Sequence, residues 1–250
     1  MSGHSKWSTI KHKKGAVDAK RGRIFTKVIK ELTISARLGG GDASGNPRLR
    51  RALDLAKAAN MPSDNVTRAI KKGTGELEGV SYEELTYEGV GPSGTLILCD
   101  VVTDNRNRTA PELRKIFDRG NGQLGAAGSA LWAFDEKALF TLEAGAATEE
   151  QLFEVAVGAG AEDVELNGDE WTITAPKELL DVISNALSAA KISVLSASLA
   201  KIPKIKKIVS GHDCEVLMGL LDSLEDHDDV QKVYTDFEIS DEDLARLAGA

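Results

Sequence analysis

Residues 3–14, GHSKWSTIKHKK, place Lys6, Lys11, Lys13 and Lys14 among Trp7, His4 and His12, with no acidic residue between them. Cations at this density neutralise phosphates and release condensed counterions, and an indole can stack on an unpaired base. Lys20, Arg21 and Arg23 continue the series. Gly3, Gly15 and Gly22, and the lack of an apolar stripe before Ile24, predict an extended arm over residues 1–22 that orders on its target. The simpler alternative is a solubilising tail with Trp7 folded back onto the core. Other groupings invite a catalytic reading. His212-Asp213-Cys214 looks like nucleophile machinery, but neighbours in sequence rarely face one another, and Asp213 suits a helix N-cap. Glu225-Asp226-His227-Asp228-Asp229 could hold a hard metal ion through Asp226, Asp228 and Asp229, as a nuclease needs; such a run is more often a solvated helix end. GGGDASGNP and GNGQLGAAGS carry no GK[ST], and the second stands between helix and strand, the wrong order for a phosphate loop. The sequence therefore predicts no catalytic residue, no metal and no cofactor.

The basic head belongs to a chain of formal charge −8. Residues 1–75 hold 17 Lys+Arg against 5 Asp+Glu, a net of +12, whereas residues 76–250 hold 14 against 34, a net of −20. Such asymmetry suggests a polyanion-binding part joined to a solvating or protein-facing part; the alternative is that the two parts pair with each other. Cys99 and Cys214 form no CxxC, and Cys99 lies in the apolar run TLILCDVV, so a small buried hydrophobe is expected there. No stretch approaches 18 apolar residues, and no apolar segment follows the N-terminal lysines, so neither a membrane span nor a secretory signal is expected. The head is poor in arginine for a mitochondrial presequence. A cytoplasmic protein follows as the expectation.

The elements that position these residues begin with a helix over 24–38. Phe25, Val28, Ile29, Leu32 and Ala36 form its apolar stripe, with Arg23, Lys27, Lys30 and Arg37 opposite. A second helix follows Pro47 and turns Leu49, Ala52, Leu53, Ala56 and Ala59 inward, with Arg50 and Lys57 outward. Ser63 starts a third, with Val66, Ala69 and Ile70 inside and Arg68, Lys71 and Lys72 outside. This helical domain, 23–77, extends the phosphate-binding surface through Arg23, Lys27, Lys30, Arg68, Lys71 and Lys72. Its outer positions offer Arg and Lys with few Asn or Gln to read base edges. Beyond Gly79, TLILCDVV reads as a central strand. Thr109-Ala110-Pro111-Glu112 reads as a capping box, and ALWAF as a strand. From Lys137 a βαββαβ pattern predicts a ferredoxin-like domain over 136–205. The tail supplies the helix and strand that 78–135 lacks, so 78–135 and 206–250 are expected to form one discontinuous α/β domain around the insertion. The fold class is α+β.

GHSKWSTIKHKKGAVDAKRGRIFTKVIKEL, NPRLRRALDLAKAANMPSDNVTRAIKKGTG, YEGVGPSG, TDNRNRT and GSALWAF, in this order, closely resemble the YebC/PmpR family, which includes the mitochondrial translational activator of cytochrome c oxidase subunit one. The resemblance spans Met1 to the C-terminal strand. It implies a helical N-terminal domain and two α/β domains, one inserted in the other. It also implies a DNA-binding transcriptional regulator, or alternatively a ribosome-associated translation factor that relieves stalls at proline runs. The partner would accordingly be DNA or ribosomal RNA, with the ribosome as a further partner. Carried onto this chain, the basic head from Lys6 to Arg23 becomes the nucleic-acid contact. Asp104, Asn105, Arg106, Asn107 and Arg108 match a family hallmark to which no role is assigned; a turn and cap would account for them. Family members often carry an aromatic residue and a second glycine where this chain has Val90 and Ser93. A start at Met1 without a presequence fits a bacterial cytosolic protein.

Overall fold

The structure, a computed structural model, describes residues 17–240 and Asp243, with the backbone alone for 17–21. Helices α1 (Val17–Gly39), α2 (Pro47–Ala58) and α3 (Ser63–Thr74) come first. Strands β1 (Glu83–Val90) and β2 (Leu96–Thr103), helix α4 (Arg106–Arg119) and the short β3 (Gln123–Leu124) follow. Next come β4 (Phe134–Glu143) and α5 (Glu149–Leu152), which widens into a π-helical turn at Phe153–Val157. After these stand β5 (Asp163–Asn167), β6 (Glu170–Pro176), α6 (Leu180–Ala189) and β7 (Ser196–Pro203). The chain ends with β8 (Lys207–Val209), α7 (Gly211–Glu225), β9 (Val230–Thr235) and β10 (Phe237–Ile239). Two compact units result, Ala133–Ile205 and the parts that flank it.

Helix α1 starts at Val17, earlier than an extended arm over 1–22 allows. Only Gly22 opposes helix in VDAKRGR, and extending a formed helix is far easier than nucleating one. Val28, Leu32 and Ala36 of α1 meet Leu49, Ala52, Ala56 and Ala69 in one apolar cluster. The α1–α3 crossing depends on Gly73, where a Cβ would stand 2.3 Å from the Thr33 carbonyl oxygen and 2.8 Å from the Ala36 Cβ. Buried Asn46 caps α2 by accepting from the Leu49 N–H at 3.0 Å, and its amide donates to the Ser35 and Gly40 carbonyls. The GGGDASGNP segment is thereby pinned to the end of α1.

In the flanking unit the sheet order is β3-β1-β2-β9. β1 and β2 form a hairpin, and the β2–α4–β3 crossover steps over β1, a split βαβ. Leu113 and Phe117 of α4 and Leu217 and Leu221 of α7 cover one face, over Ile97, Cys99 and Val233. Leu98 and Val102 are buried on the other face, as the unbroken apolar run of β2 requires. Both cysteines are free and fully buried. The inserted unit has the antiparallel order β5-β6-β4-β7, which is the ferredoxin-like arrangement. Phe140, Leu142 and Ile173 pack there against Leu152, Ile183 and Leu187.

Two local expectations are corrected. ALWAF is no strand: Leu131–Ala133 is a 3-10 turn, and β4 then runs unbroken from Phe134. The cap of α4 is Asn105, whose side chain accepts from the Asn107 and Arg108 N–H groups, so Pro111 lies inside the helix. Thr109 therefore lies in the first turn of the helix, where its hydroxyl donates to Asp229.

Candidate nucleic-acid interface

Lys6, Trp7, Lys11, His12, Lys13 and Lys14 lie outside the described residues, as do the side chains of Lys20 and Arg21. The remaining expected contacts separate into two groups.

The first group is Arg23, Lys27 and Lys30 on α1. Lys30 is buried; its ammonium meets the Asp229 carboxylate at 2.5 Å and the Asp228 carbonyl oxygen at 2.9 Å. Lys27 donates to the Glu225 carbonyl at 2.7 Å, and burial pushes its pKa down against the opposing pull of Glu225, Asp226 and Asp228. Arg23 pairs with Asp226 at 2.6 Å. The face expected to meet phosphate thus meets the chain's own acidic run, and Lys30 in particular is withdrawn from the interface. A helical stripe of cations specifies a polar partner, but its spacing cannot tell a carboxylate from a phosphate.

Asp229 is where the acidic run and the TDNRNRT motif converge. One carboxylate oxygen takes Lys30; the other accepts from Thr109 at 2.6 Å and Arg108 at 2.9 Å, with the Thr103 hydroxyl at 3.1 Å. Burial alone would raise this carboxyl's pKa. The hydrogen bonds from Lys30, Thr109 and Arg108, with the Lys30 charge, instead hold it well below the usual carboxylate range. Asp104 steadies Arg108 from the other side at 2.9 Å. Arg106 and Asn107 are exposed, and Arg106 lies 3.9 Å from the Glu83 carboxylate of β1. TDNRNRT is therefore the cap of α4 and one wall of the joint between the helical domain and the sheet. Arg48 makes a second tie, with Glu31 of α1 at 2.7 Å and Glu84 of β1 at 2.5 Å.

Glu112, His227 and Asp229 bring potential metal-ligand atoms within 4.8 Å of one another. The same atoms take part in hydrogen bonds of the joint. The Asp229 N–H donates to His227 Nδ1 at 3.1 Å, which leaves the imidazole proton on Nε2, 3.1 Å from the Glu112 carboxylate. Asp229 takes Lys30 on one oxygen and Thr109, Arg108 and Thr103 on the other, so this carboxylate is committed to the joint.

The second group is Arg68, Lys71 and Lys72 on α3. All three are exposed, and among the described residues none has an ion-pair partner. Arg50 and Lys57 on α2 are exposed in the same way. These cations form the accessible basic surface of the helical domain.

One arrangement leaves little trace in the sequence. Glu88 on β1 is buried on the sheet face away from α4 and α7. Its carboxylate accepts from the backbone N–H groups of Gly128 and Ala130 at 2.6 Å and Leu131 at 2.7 Å. The YEG and GSALW motifs are thus two halves of one contact. A lone glutamate in a strand of alternating pattern carries no local signal of that.

Comparison with known proteins places these features in a family. Residues 5–76 match the TACO1/YebC protein N-terminal domain, and residues 82–237 match the TACO1/YebC second and third domain. A probable transcriptional regulatory protein of Geobacter sulfurreducens is 53% identical over 99% of this chain and 100% of its own length. One from Desulfatibacillum aliphaticivorans is 52% identical over 97% of this chain and 98% of its own. The crystal structure of a conserved hypothetical protein from Aquifex aeolicus superposes with a TM-score of 0.84 at 40% identity, covering 90% of this chain and 93% of that one. With both of its parts matched in order and relatives similar along their whole length, the chain belongs to the TACO1/YebC family.

Proposed function

We propose that this protein is a non-enzymatic regulator of gene expression that binds nucleic acid through its basic helical domain. The observation that carries this is the exposed set Arg68, Lys71 and Lys72 on α3, with Arg50 and Lys57 on α2, which among the described residues have no ion-pair partner, in a chain whose other basic helix face meets acidic residues of its own. In this reading Lys6, Trp7, Lys11, His12, Lys13, Lys14, Lys20 and Arg21, which lie outside the described residues or have undescribed side chains, are further contacts to the same nucleic acid. Relatives named as probable transcriptional regulatory proteins support a DNA-binding transcriptional regulator as the first reading. No helix among the described residues is long and apolar enough to cross a membrane.

A second reading, an RNA-binding factor that acts on the ribosome, is favoured by the composition of the exposed helix faces. Arg and Lys fix a backbone in place but leave base edges unread, which suits a target known by its shape. The test is salt-titrated binding of the full chain to duplex DNA and to single-stranded RNA. Alanine at Arg68, Lys71 and Lys72 together should flatten the log–log salt slope by roughly two to three units. Absence of binding to both targets at low salt would overturn the proposal.

A further inference from the structure

A cavity of about 190 Å³ opens between α1, the end of α3 and the segment that leads into β1. It is several times the roughly 30 Å³ share of one water, and smaller than the roughly 300–1,000 Å³ of a site for a drug-sized molecule. Its charged lining is Arg37 of α1 and Lys72 of α3; no lining residue is acidic, in a chain with 39 Asp+Glu. Glu76 and Glu78, in the intervening segment, are exposed and stay out of it. Both cations are held in place. The Arg37 Nη1 group donates to the Ser81 hydroxyl and, at 3.4 Å, to the Tyr82 carbonyl; among the described residues its Nε and Nη2 make no hydrogen bond. The stem of Lys72 runs so close to Gly79 that a Cβ there would stand 3.1 Å from the Lys72 Cβ. Lys72 in the last turn also complements the α3 dipole, but a dipole asks nothing of Arg37 or of a cavity. Among the described residues no backbone carbonyl accepts the N–H groups of Gly79, Val80 or Ser81, which line the same space.

We infer that this cavity is a seat for a phosphate monoester. The two open groups of the Arg37 guanidinium, Nε and Nη2, form the fork that grips two phosphate oxygens, and the Lys72 ammonium supplies a point charge. A monoester carries about two negative charges at neutral pH, which matches two cations; a carboxylate brings one. The Ser81 hydroxyl accepts from Arg37 and keeps its own proton to donate. A guanidinium already fixed by Ser81 and Tyr82 loses little freedom when the ligand arrives. A phosphodiester inside a strand is flanked by sugars on both sides and carries a single charge, so an open face such as that of Arg68 and Lys71 suits it. A recessed seat suits a phosphate that projects, at the end of a strand or on a free nucleotide. Lys72 belongs both to the seat and to the exposed basic face of α3, which makes the two continuous. For a strand end, the inference rests on the nucleic-acid reading and adds to it a contact that recognises the terminus.

The test is isothermal titration calorimetry of the full chain with 12-nucleotide oligouridines that carry a phosphate at the 5′ end, at the 3′ end or at neither. Uridine 5′-monophosphate and uridine are titrated alongside. Wild type, Arg37→Ala and Lys72→Met are compared. A terminal phosphate should raise affinity by roughly 10- to 100-fold, the worth of charge-assisted hydrogen bonds to one group. In both variants the ratio of phosphorylated to unphosphorylated affinity should fall close to one. A gain for the strands alone assigns the seat to a strand end, and a gain for the monophosphate alone assigns it to a free nucleotide. Strands that bind equally well with and without the phosphate, with no preference for the monophosphate over uridine, would overturn the seat and spare the proposed function. A gain that survives both substitutions would also overturn it. So would a gain lost only in Arg37→Ala, because Lys72→Met keeps the stem against Gly79 and removes the charge alone. If no strand binds but the monophosphate does, through Arg37 and Lys72, the proposed function falls and the seat stands.

Discussion

Lys30 and Asp229 stand 199 positions apart in sequence, yet their side chains, 8% and 4% exposed, meet at 2.5 Å. Removing one member of such a pair leaves a charge in the interior without compensation, at a cost of about 3–5 kcal/mol. The two members differ, however. Asp229→Ala strands Lys30, whereas Lys30→Met leaves Asp229 held by Arg108, Thr109 and Thr103. Urea denaturation should place Asp229→Ala in the range above and Lys30→Met well below it. Equal losses would mean that the other donors contribute nothing.

The same carboxylate sets a pH dependence. Its folded pKa is depressed by its partners, so its contribution is fully present above its unfolded value of about 3.9 and is lost as pH falls through the folded one. Asp229→Asn, less stable at pH 7, should lose less on acidification than wild type, so that the two converge below about pH 4. Urea midpoints at pH 7, 5, 4 and 3 provide the comparison. A constant gap down to pH 3 would contradict the assignment.

Glu88 accepts three backbone N–H groups with two oxygens. Glu88→Gln preserves its shape but turns an NH2 group toward at least one of those donors, costing about 2–3 kcal/mol. Amide exchange at Gly128, Ala130 and Leu131 should accelerate in that variant, with little change in the inserted unit. Uniform acceleration would point to general destabilisation instead.

Ser93 occupies left-handed backbone, φ 54° and ψ 17°. Its hydroxyl donates to Asp213 at 2.6 Å. Both Ser93→Ala and Ser93→Gly lose that bond, but only glycine relieves the strain, so Ser93→Gly should be the more stable of the two by about 1 kcal/mol. Thermal midpoints in the reverse order would show that the backbone there is not strained.

The α+β class and the inward face of each N-terminal helix were legible because periodicity reports burial directly. Leu49, Ala52 and Ala56 recur at helical spacing and are buried. The fate of the outward face was less so. Lys30 and Lys72 look alike as exposed positions of basic helices, and the difference between them is a carboxylate contributed by the far end of the chain. The turn and cap read from TDNRNRT stand, but the capping box is placed too late: Asn105 caps the helix four residues before Thr109, which the local pattern of Thr109 to Glu112 does not reveal. The paired reading of the two charged segments, the simpler of the two alternatives, accounts for Arg23, Lys27 and Lys30.

The insertion also orders events in time. The chain leaves the first sheet before Ala133 and returns at Lys204, whose N–H donates to the Ala133 carbonyl at 2.9 Å. On a ribosome the inserted unit is therefore finished while the sheet around it still lacks β9, and Asp229 emerges only just ahead of that strand. Until then Lys30 has no carboxylate to neutralise it, and the helical domain of a nascent chain carries more free positive charge than that of the finished one. Closing the Asp229 joint is among the last steps of maturation, and it removes one face of α1 from competition for any polyanion nearby.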